Sequence, residues 1–466
     1  MLLGDWYRVV NVSAPAMSPD GKRVAMTVTR AVEGDNRRHS EVWVVSTAGG
    51  DPQRWTAPNT ESSNPRWSPD GSYLFFTSSR SGGTGNTWAI RLDQPSGEAI
   101  QVPGYPTSGT MPATGAFAVF AEPAAPAPQV PAGDPFAQQQ PMARPPFDAI
   151  TRPAVPTRFD GRHVVDMAYK NNATGFVPGR RVARHWRPQQ LFKQVVGDTA
   201  KRQITNVAYS HRSPVVSPDG KWVAFVADAR LRPDSLVELE RDSLARLPYD
   251  KVRDEAERND ADIYLLSVDG GTPRKVADWM GAESDLTWSP DGKQLAFIGR
   301  PGRTKSARIF VVDVNGGTPR NLLGDWQFEP SGMDWLRTGI QFTADIGGRS
   351  AVLRADLAGK SAPKELVGGR RQIRGTSYDA AGKVLAYVAT SMTRPTELYV
   401  ANADGTGERK LTGFNDAVNA DVVWSDAERF TYKSVGNLEI EGWLMKPYGY
   451  EPVSYTHLTL PTILRV

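Results

Sequence analysis

The chain has 466 residues, with 55 Lys and Arg against 51 Asp and Glu, for a formal net charge of +4. Because the two signs are interspersed, this balance does not indicate a nucleic-acid partner. The absence of cysteine excludes disulfides, thiolate metal ligands and a thiol nucleophile. No run approaches the ~20 apolar residues that a membrane-spanning helix needs, so no membrane partner is expected.

The tetrad Ser-Pro-Asp-Gly occurs four times, each time before a short apolar run, and a degenerate fifth copy spans Tyr378 to Gly382. Proline presets φ for the second position of a turn, aspartate tolerates the third, and glycine supplies the positive φ that restarts a strand. The tetrads therefore predict structural turns at Asp20, Gly21, Asp70, Gly71, Asp219, Gly220, Asp291 and Gly292.

A second pattern follows each tetrad, and EVWVVSTAGGDPQRW and DIYLLSVDGGTPRKV are two examples of it. Alternating β-branched and aromatic residues bounded by Gly-Gly indicate hairpins. The combined unit repeats about every 40–50 residues, which is typical of propeller blades. The sequence thus predicts an all-β fold, a β-propeller over residues 1–413, with seven blades or with eight if the stretch after Asn415 adds one.

Two insertions interrupt the repeats. Residues 122–157 are rich in Pro and Ala and poor in aromatic residues, which predicts a disordered loop. Residues 230–260 contain leucines at helical spacing after Asp234, which predicts a helical insertion on the rim of the propeller.

Candidate site residues are few. The motif G-x-S-x-G is absent from the whole sequence, so no catalytic residue is assigned. The five histidines lack metal-site spacing, so no metal site or cofactor is predicted. Glu238 and Glu240, in the helical insertion, are candidate ligands for the α-amino group of a peptide substrate, since paired carboxylates favour a cation. The alternative is that both belong to a solvated helix surface.

The assembled pattern resembles the N-terminal propeller of the prolyl oligopeptidase family of serine peptidases, in its acylaminoacyl-peptidase and dipeptidyl-peptidase branches. The segments that carry the resemblance are DWYRVVNVSAPAMSPDGKRVAM, the third-blade stretch that begins FDGRHVVDMAYK, and SVGNLEIEGWLMKPYGYEP. The last of these resembles the strand that leads from the propeller into an α/β-hydrolase domain. On this resemblance, residues 414–453 form an exit segment, and residues 454–466, which do not continue the family pattern, form a non-native tail.

The resemblance implies a propeller that gates the access of short peptides to a hydrolase domain, which is the expected partner. Since no position matches the catalytic motifs of the family, we expect the chain to be a truncated form that is inactive alone. The alternative is a stand-alone propeller of the Tol type that acts as a scaffold for protein partners. The oligomeric state and the compartment stay open, with export to the periplasm favoured over the cytoplasm because many bacterial relatives are exported.

Overall fold

The computed structural model describes residues 4–58, 60–80, 85–93, 97–123, 187–244, 247, 250, 260–278, 282–300, 305–446 and 449–450. The three helices of this part of the chain are α1 (Asp5–Arg8), α2 (Asp234–Leu244) and α3 (Asp416–Asp421). None of them is long and apolar enough to cross a membrane. The Pro/Ala-rich loop beyond Pro123 and the predicted tail at 454–466 lie outside the described residues.

Seven antiparallel sheets follow one another along the chain, each a meander whose strands pair in sequence order. A new sheet begins shortly after the previous one ends, as the tetrad repeat predicts. The first two sheets contain β1 (Asn11–Met17), β2 (Arg23–Val32), β3 (Arg37–Ser46) and β4 (Gln53–Arg54), then β5 (Ser62–Trp67), β6 (Tyr73–Ser78) and β7 (Asn86–Arg91).

The third and fourth sheets are interrupted by the two insertions, each placed between a pair of strands that hydrogen-bond to each other. Their strands are β8 (Phe117–Pro123), β9 (Gln189–Val195) and β10 (Lys201–Gln203), then β11 (Arg212–Val216), β12 (Trp222–Asp228), β13 (Ala261–Ser267) and β14 (Arg274–Ala277).

The last three sheets have four strands each. They contain β15 (Ala282–Trp288), β16 (Gln294–Arg300), β17 (Arg308–Asp313) and β18 (Arg320–Asn321), then β19 (Pro330–Leu336), β20 (Gly339–Ile346), β21 (Arg349–Arg354) and β22 (Lys364–Val367), and finally β23 (Gln372–Tyr378), β24 (Val384–Ser391), β25 (Arg394–Asn402) and β26 (Arg409–Lys410).

The hydrophobic core is divided among the interfaces between successive sheets. One cluster joins the fourth and fifth sheets and contains Val226 and Phe297. Other clusters lie between the remaining pairs of successive sheets. A further cluster joins the first sheet to the seventh, with Val12 packed near Leu398. Because the last sheet packs on the first, the seven sheets form a closed ring, and the predicted seven-bladed propeller is confirmed.

The stretch after Asn415 forms a short helix and one two-stranded sheet, not an eighth blade. We call this sheet the exit hairpin; it consists of β27 (Ala427–Lys433) and β28 (Glu439–Met445). The eight-bladed alternative is therefore excluded in favour of seven, because two strands cannot supply the packing surfaces of a blade.

The two ends of the ring differ. In each meander the turn between the first and second strands, which carries the tetrad or its degenerate copy in five of the seven sheets, lies at one end of the sheet, and the turn between the second and third strands lies at the other. The exit hairpin packs on Gly347 and Gly348, which form the turn between β20 and β21. We therefore call this end the exit face and the opposite end the tetrad face.

Candidate functional site: the axial channel and the exit face

The tetrad turns share one hydrogen-bond pattern. In the first turn the Gly21 amide donates to the Ser18 carbonyl (2.9 Å), the Ser18 hydroxyl donates to Asp20 (2.5 Å), and the same hydroxyl accepts from the Arg23 amide (2.9 Å). All four tetrad glycines have φ between +70° and +73°. In the third and fourth turns the serine hydroxyl lowers the pKa of Asp219 and Asp291 below the ordinary carboxyl value. The turn carboxylates thus have a local role in the turn.

Neighbouring turns touch around the tetrad face. A Cβ atom on Gly71 would lie 3.9 Å from the ring of Pro19, and one on Gly292 would lie 3.8 Å from Pro218. The glycine of one sheet therefore packs on the tetrad proline of the sheet before it. The Ala380 amide, in the degenerate fifth copy, donates to the Pro19 carbonyl (3.1 Å) and joins the last turn to the first. The predicted turn residues therefore form part of the frame of the ring.

The first strands of the sheets surround the axis of the ring, where a propeller has its central channel. Contacts between β1 and β5, β1 and β23, and β11 and β15 connect these strands to one another. Six of the first strands contain a β-bulge whose left-handed residue lies four positions before the tetrad serine or its equivalent. These residues are Ala14, Asn64, Ser213, Asp285, Gly332 and Gly375.

The helical insertion begins at the exit face, because it connects the second strand of its sheet to the next strand outward, and the paired ends of β8 and β9 lie at the same face. The segment between β8 and β9 belongs to the third sheet, and the segment between β12 and β13, with α2, belongs to the fourth. The side chain of Asp234 at the start of α2 accepts from the Ser210 amide (2.9 Å) and from the Ser210 hydroxyl. Helix α2 is thereby anchored beside the channel, next to the first strand of its own sheet.

The two candidate carboxylates of α2 are each paired with an arginine. Arg241 donates to Glu238 (2.7 Å), and Arg232 donates to Glu240 (2.8 Å). Arg232 also binds the buried Asp228 (2.8 Å). Burial opposes ionisation of Asp228, but its hydrogen bonds with Arg232 and with backbone amides hold its pKa below the ordinary value. Binding a peptide ammonium at Glu238 and Glu240 would therefore have to compete with these two arginines.

The described histidines are engaged in local contacts. His39 Nδ1 lies 2.7 Å from Glu61, and buried His211 Nδ1 donates to the Gln189 carbonyl (2.9 Å). Burial lowers the pKa of His211. Across the residues that the structure describes, no group of three or more His, Asp or Glu side chains is arranged to hold a metal ion.

The exit hairpin presents apolar side chains to solvent on the exit face. Phe430 is 47% exposed, Tyr432 is 53% exposed and Leu438 is 62% exposed. The hairpin is attached to the sixth sheet by Trp443, which lies against Gly348, and by Arg370, which donates to the Ala427 carbonyl (3.0 Å). An apolar surface of this kind on a soluble domain is typical of a contact with another domain or protein.

Comparison with known proteins supports the resemblance inferred from the sequence. An uncharacterized peptidase, YuxL, from Bacillus subtilis (strain 168) is 23% identical over 473 residues, which cover 99% of this chain and 65% of that protein. A solved acylaminoacyl peptidase in complex with Z-Gly-Gly-Phe-chloromethyl ketone superposes with a TM-score of 0.59 at 18% identity, over 96% of this chain and 59% of that one. The chain is similar to the propeller portion of such peptidases. At this identity the structural likeness establishes the fold.

Three further findings define how far the similarity extends. The chain spans less than two thirds of the length of the peptidases it matches. A TolB homologue from Chlorobium luteolum is 29% identical over 125 residues, which cover only 24% of this chain and 28% of that protein. No family model matches the chain. The peptidase-related propeller is therefore better supported than the Tol-type alternative, because it accounts for nearly the whole chain.

The sequence does not single out the residues of the first strands, although each left-handed residue lies at a constant distance before its tetrad serine or the equivalent position. The segment before each tetrad varies more in sequence than the apolar run that follows it.

Proposed function

We propose that this chain is the substrate-gating propeller of a serine peptidase that hydrolyses short peptides, and that it supplies access control without the hydrolytic chemistry. The observation that carries this proposal is the arrangement of the exit face. Helix α2, the paired ends of β8 and β9, and the exit hairpin lie at the same end of the ring. A domain attached through the exit hairpin would cover the mouth of the axial channel at that end.

A propeller in this position selects substrates by shape. The ring is closed by apolar interfaces between every pair of successive sheets, so the channel and the space beneath an attached domain are the routes that remain. An extended peptide can pass through a narrow opening. A folded protein would first have to unfold, at a free-energy cost of about 5–15 kcal/mol. The selectivity would therefore arise from exclusion and would need no recognition of a particular side chain.

The proposed inactivity rests on the sequence. The chain contains no G-x-S-x-G motif, and nucleophilic catalysis needs a serine held within hydrogen-bond reach of a base. The tetrad serines do not meet this requirement, because their hydroxyls are already committed to the turn aspartate and to a backbone amide.

The test uses the purified chain with two assays. A fluorophosphonate probe should label no serine, and acetyl-aminoacyl p-nitroanilides should not be hydrolysed, while a purified serine hydrolase in parallel reacts with both. Fluorescently labelled short peptides should nevertheless bind saturably, and a folded protein should not compete for them. Stoichiometric labelling of any serine would refute the inactivity, and equal competition by a folded protein would refute the gating.

A further inference from the structure

The first strands carry residues at equivalent positions, one before each bulge. The residue five positions before each tetrad serine, or its equivalent, directly precedes the left-handed residue of the bulge. At this level six of the first strands carry only serine or arginine, namely Ser13, Ser63, Arg212, Ser284, Ser331 and Arg374. We call these six residues the axial ring.

The axial ring is accessible while the residues beside it are buried. Val12 and Ile373, each one position before a ring residue, are 1% and 3% exposed and pack between sheets. Arg212 and Arg374 themselves are exposed. The two faces of a first strand lie against neighbouring sheets and its outer edge pairs with the second strand, so an exposed side chain on this strand borders the channel.

The two arginines lack counter-charges. In the described part of the chain, neither guanidinium forms an ion pair or a hydrogen bond with another residue, in contrast to Arg232, Arg349 and Arg371, which all bind carboxylates. The left-handed Asp285 adds one carboxylate near this level of the channel, and it forms no ion pair with either arginine. The two guanidiniums therefore outnumber it.

Chemistry and shape both suit an oxyanion. Guanidinium groups present several N–H donors in a plane that matches a carboxylate or phosphate, and hydroxyl groups can donate alongside them. A channel with low-dielectric walls strengthens the attraction, since it concentrates the field of the charges that line it. Of the serines, Ser331 lies 3.0 Å from Thr343 Oγ1, so its hydroxyl is partly engaged within its own sheet.

We propose that the axial ring is an oxyanion-binding site in which Arg212 and Arg374 bind one anionic group on the axis of the propeller. In a short peptide this group is the terminal α-carboxylate, so a peptide in the channel would be held by its C-terminal end. The use of the site for peptides rests on the proposed gating function. The binding of an oxyanion as such does not.

Titration calorimetry at low ionic strength tests the site with N-acetyl-trialanine, its C-terminal amide and inorganic phosphate. The acid should bind about tenfold or more tightly than the amide, because charge-assisted hydrogen bonds are lost in the amide. The double substitution Arg212→Gln with Arg374→Gln should lower the affinity for the acid to that for the amide. Arg394→Gln is the matched control, since Arg394 lies in the same sheet as Arg374, is exposed, and donates to the Thr393 carbonyl (2.9 Å).

The outcomes separate the site from the gating function. Equal binding of acid and amide that the double substitution does not change would refute oxyanion binding by the axial ring, while the proposed peptide-binding gate would stand. Phosphate binding that the double substitution abolishes, with no binding of either peptide, supports the ring and refutes the gate. Equal loss in the double variant and in the Arg394→Gln control, or no binding of any probe, overturns the ring. Unchanged circular dichroism of the variants verifies folding.

Discussion

The tetrad turn shows how a residue can be replaced when its hydrogen bonds are retained. In the degenerate fifth copy Asp379 stands where the other turns have serine, and its carboxylate accepts from the Val384 amide (2.7 Å) as the Ser18 hydroxyl accepts from Arg23. Gly382 keeps a φ of +64°. The acceptor oxygen and the left-handed glycine are thus the parts of the motif on which the turn depends.

Replacement of the turn glycine should destabilise the fold more than loss of the serine hydroxyl does. Gly220→Val requires a β-branched residue at φ +73° and places Cβ 3.3 Å from Pro112, so we expect a destabilisation of about 3 kcal/mol or more. Ser217→Ala removes two local hydrogen bonds and should cost about 1 kcal/mol. Denaturant titration of both variants measures the difference.

Gly292→Val separates backbone strain from steric contact. Gly292 has the same left-handed φ of +70°, but its nearest neighbour would lie 3.8 Å away. This variant should therefore fall between the other two. Equal effects of all three substitutions would show that neither strain nor packing governs the turn.

A half-buried carboxylate, that of Asp334, lies beside Tyr378 between the sixth and seventh sheets. Asp334 lies two positions after the left-handed Gly332, where the seventh sheet has Ser377, whose hydroxyl accepts from the Met17 amide of the next sheet (2.9 Å). Burial raises the pKa of Asp334 to about 6. The neighbouring Tyr378 has a raised pKa as well, through burial and through the Asp334 charge. A carboxylate at this position therefore opposes folding when it is ionised.

Asp334→Asn should stabilise the protein at neutral pH. The pKa of Asp334 in the folded state lies above the ordinary 3.8. The free energy of unfolding of the wild-type protein therefore falls as the pH rises from about 4 through 6. At pH 8 the variant should gain about 2 kcal/mol, and near pH 4 the two proteins should be equal. Melting temperatures at both pH values measure this, with the exposed Asp345→Asn of the same sheet as the control. A gain that does not depend on pH would contradict the ionisation argument.

Among the elements, the exit hairpin is the least supported by the rest of the ring. Its turn at Val435–Asn437 is solvent-exposed, with Val435 95% exposed, and Asn437 has a φ of +63°. Its attachment to the sixth sheet depends on Trp443 lying against Gly348, where an added Cβ would meet the indole ring. Few contacts of this kind imply local opening at a free energy well below that of the blades.

Limited proteolysis should therefore cleave first beyond residue 434 and leave a resistant core that still contains Asn415. The Pro/Ala-rich segment near Gln138 is the competing site expected from its composition. Gly348→Val should accelerate cleavage of the hairpin because it displaces Trp443, whereas Gly271→Val, in an exposed turn with open space around it, should not. A hairpin as resistant as the blades would show that it is an integral part of the propeller.

At the scale of the whole molecule, the ring closes without a strand shared between its first and last sheets. Buried Asn415 substitutes for such a strand: its side chain accepts from the Val10 amide (2.8 Å) and donates to the Val10 carbonyl (3.0 Å). Nearby, Arg30 lies over the rings of Trp43 and Phe414. The segment that closes the ring is thus the one that leads on to the exit hairpin.

Asn415→Ala should destabilise the entire propeller rather than one blade. It leaves the Val10 backbone groups and the Thr396 carbonyl without their partner in a buried site, at an expected cost of about 2–4 kcal/mol. Hydrogen exchange at the Val10 amide should accelerate together with that of the first and seventh sheets. Asn402→Ala, which removes an exposed hydrogen bond to Thr406, is the control. A loss confined to the seventh sheet would show that the ring does not close through Asn415.

The β-propeller fold, with seven or eight blades, and the positions of the tetrad turns were predicted from the sequence alone. The reason is that turn chemistry is local: a proline, a left-handed glycine and an acceptor oxygen lie within five residues of one another, and their spacing fixes where strands begin. The alternating pattern of residues 438–443 predicted a strand, which is β28, but its pairing with β27 was not predicted, since β27 carries mixed charged and aromatic residues.

Only the tertiary structure decided which distant residues meet. Asn415 reaches Val10 because the last sheet packs on the first. Likewise the sequence does not show that Glu238 is paired with Arg241 and Glu240 with Arg232. Closure of a ring is a property of the sum of all its interfaces, and no local segment encodes it.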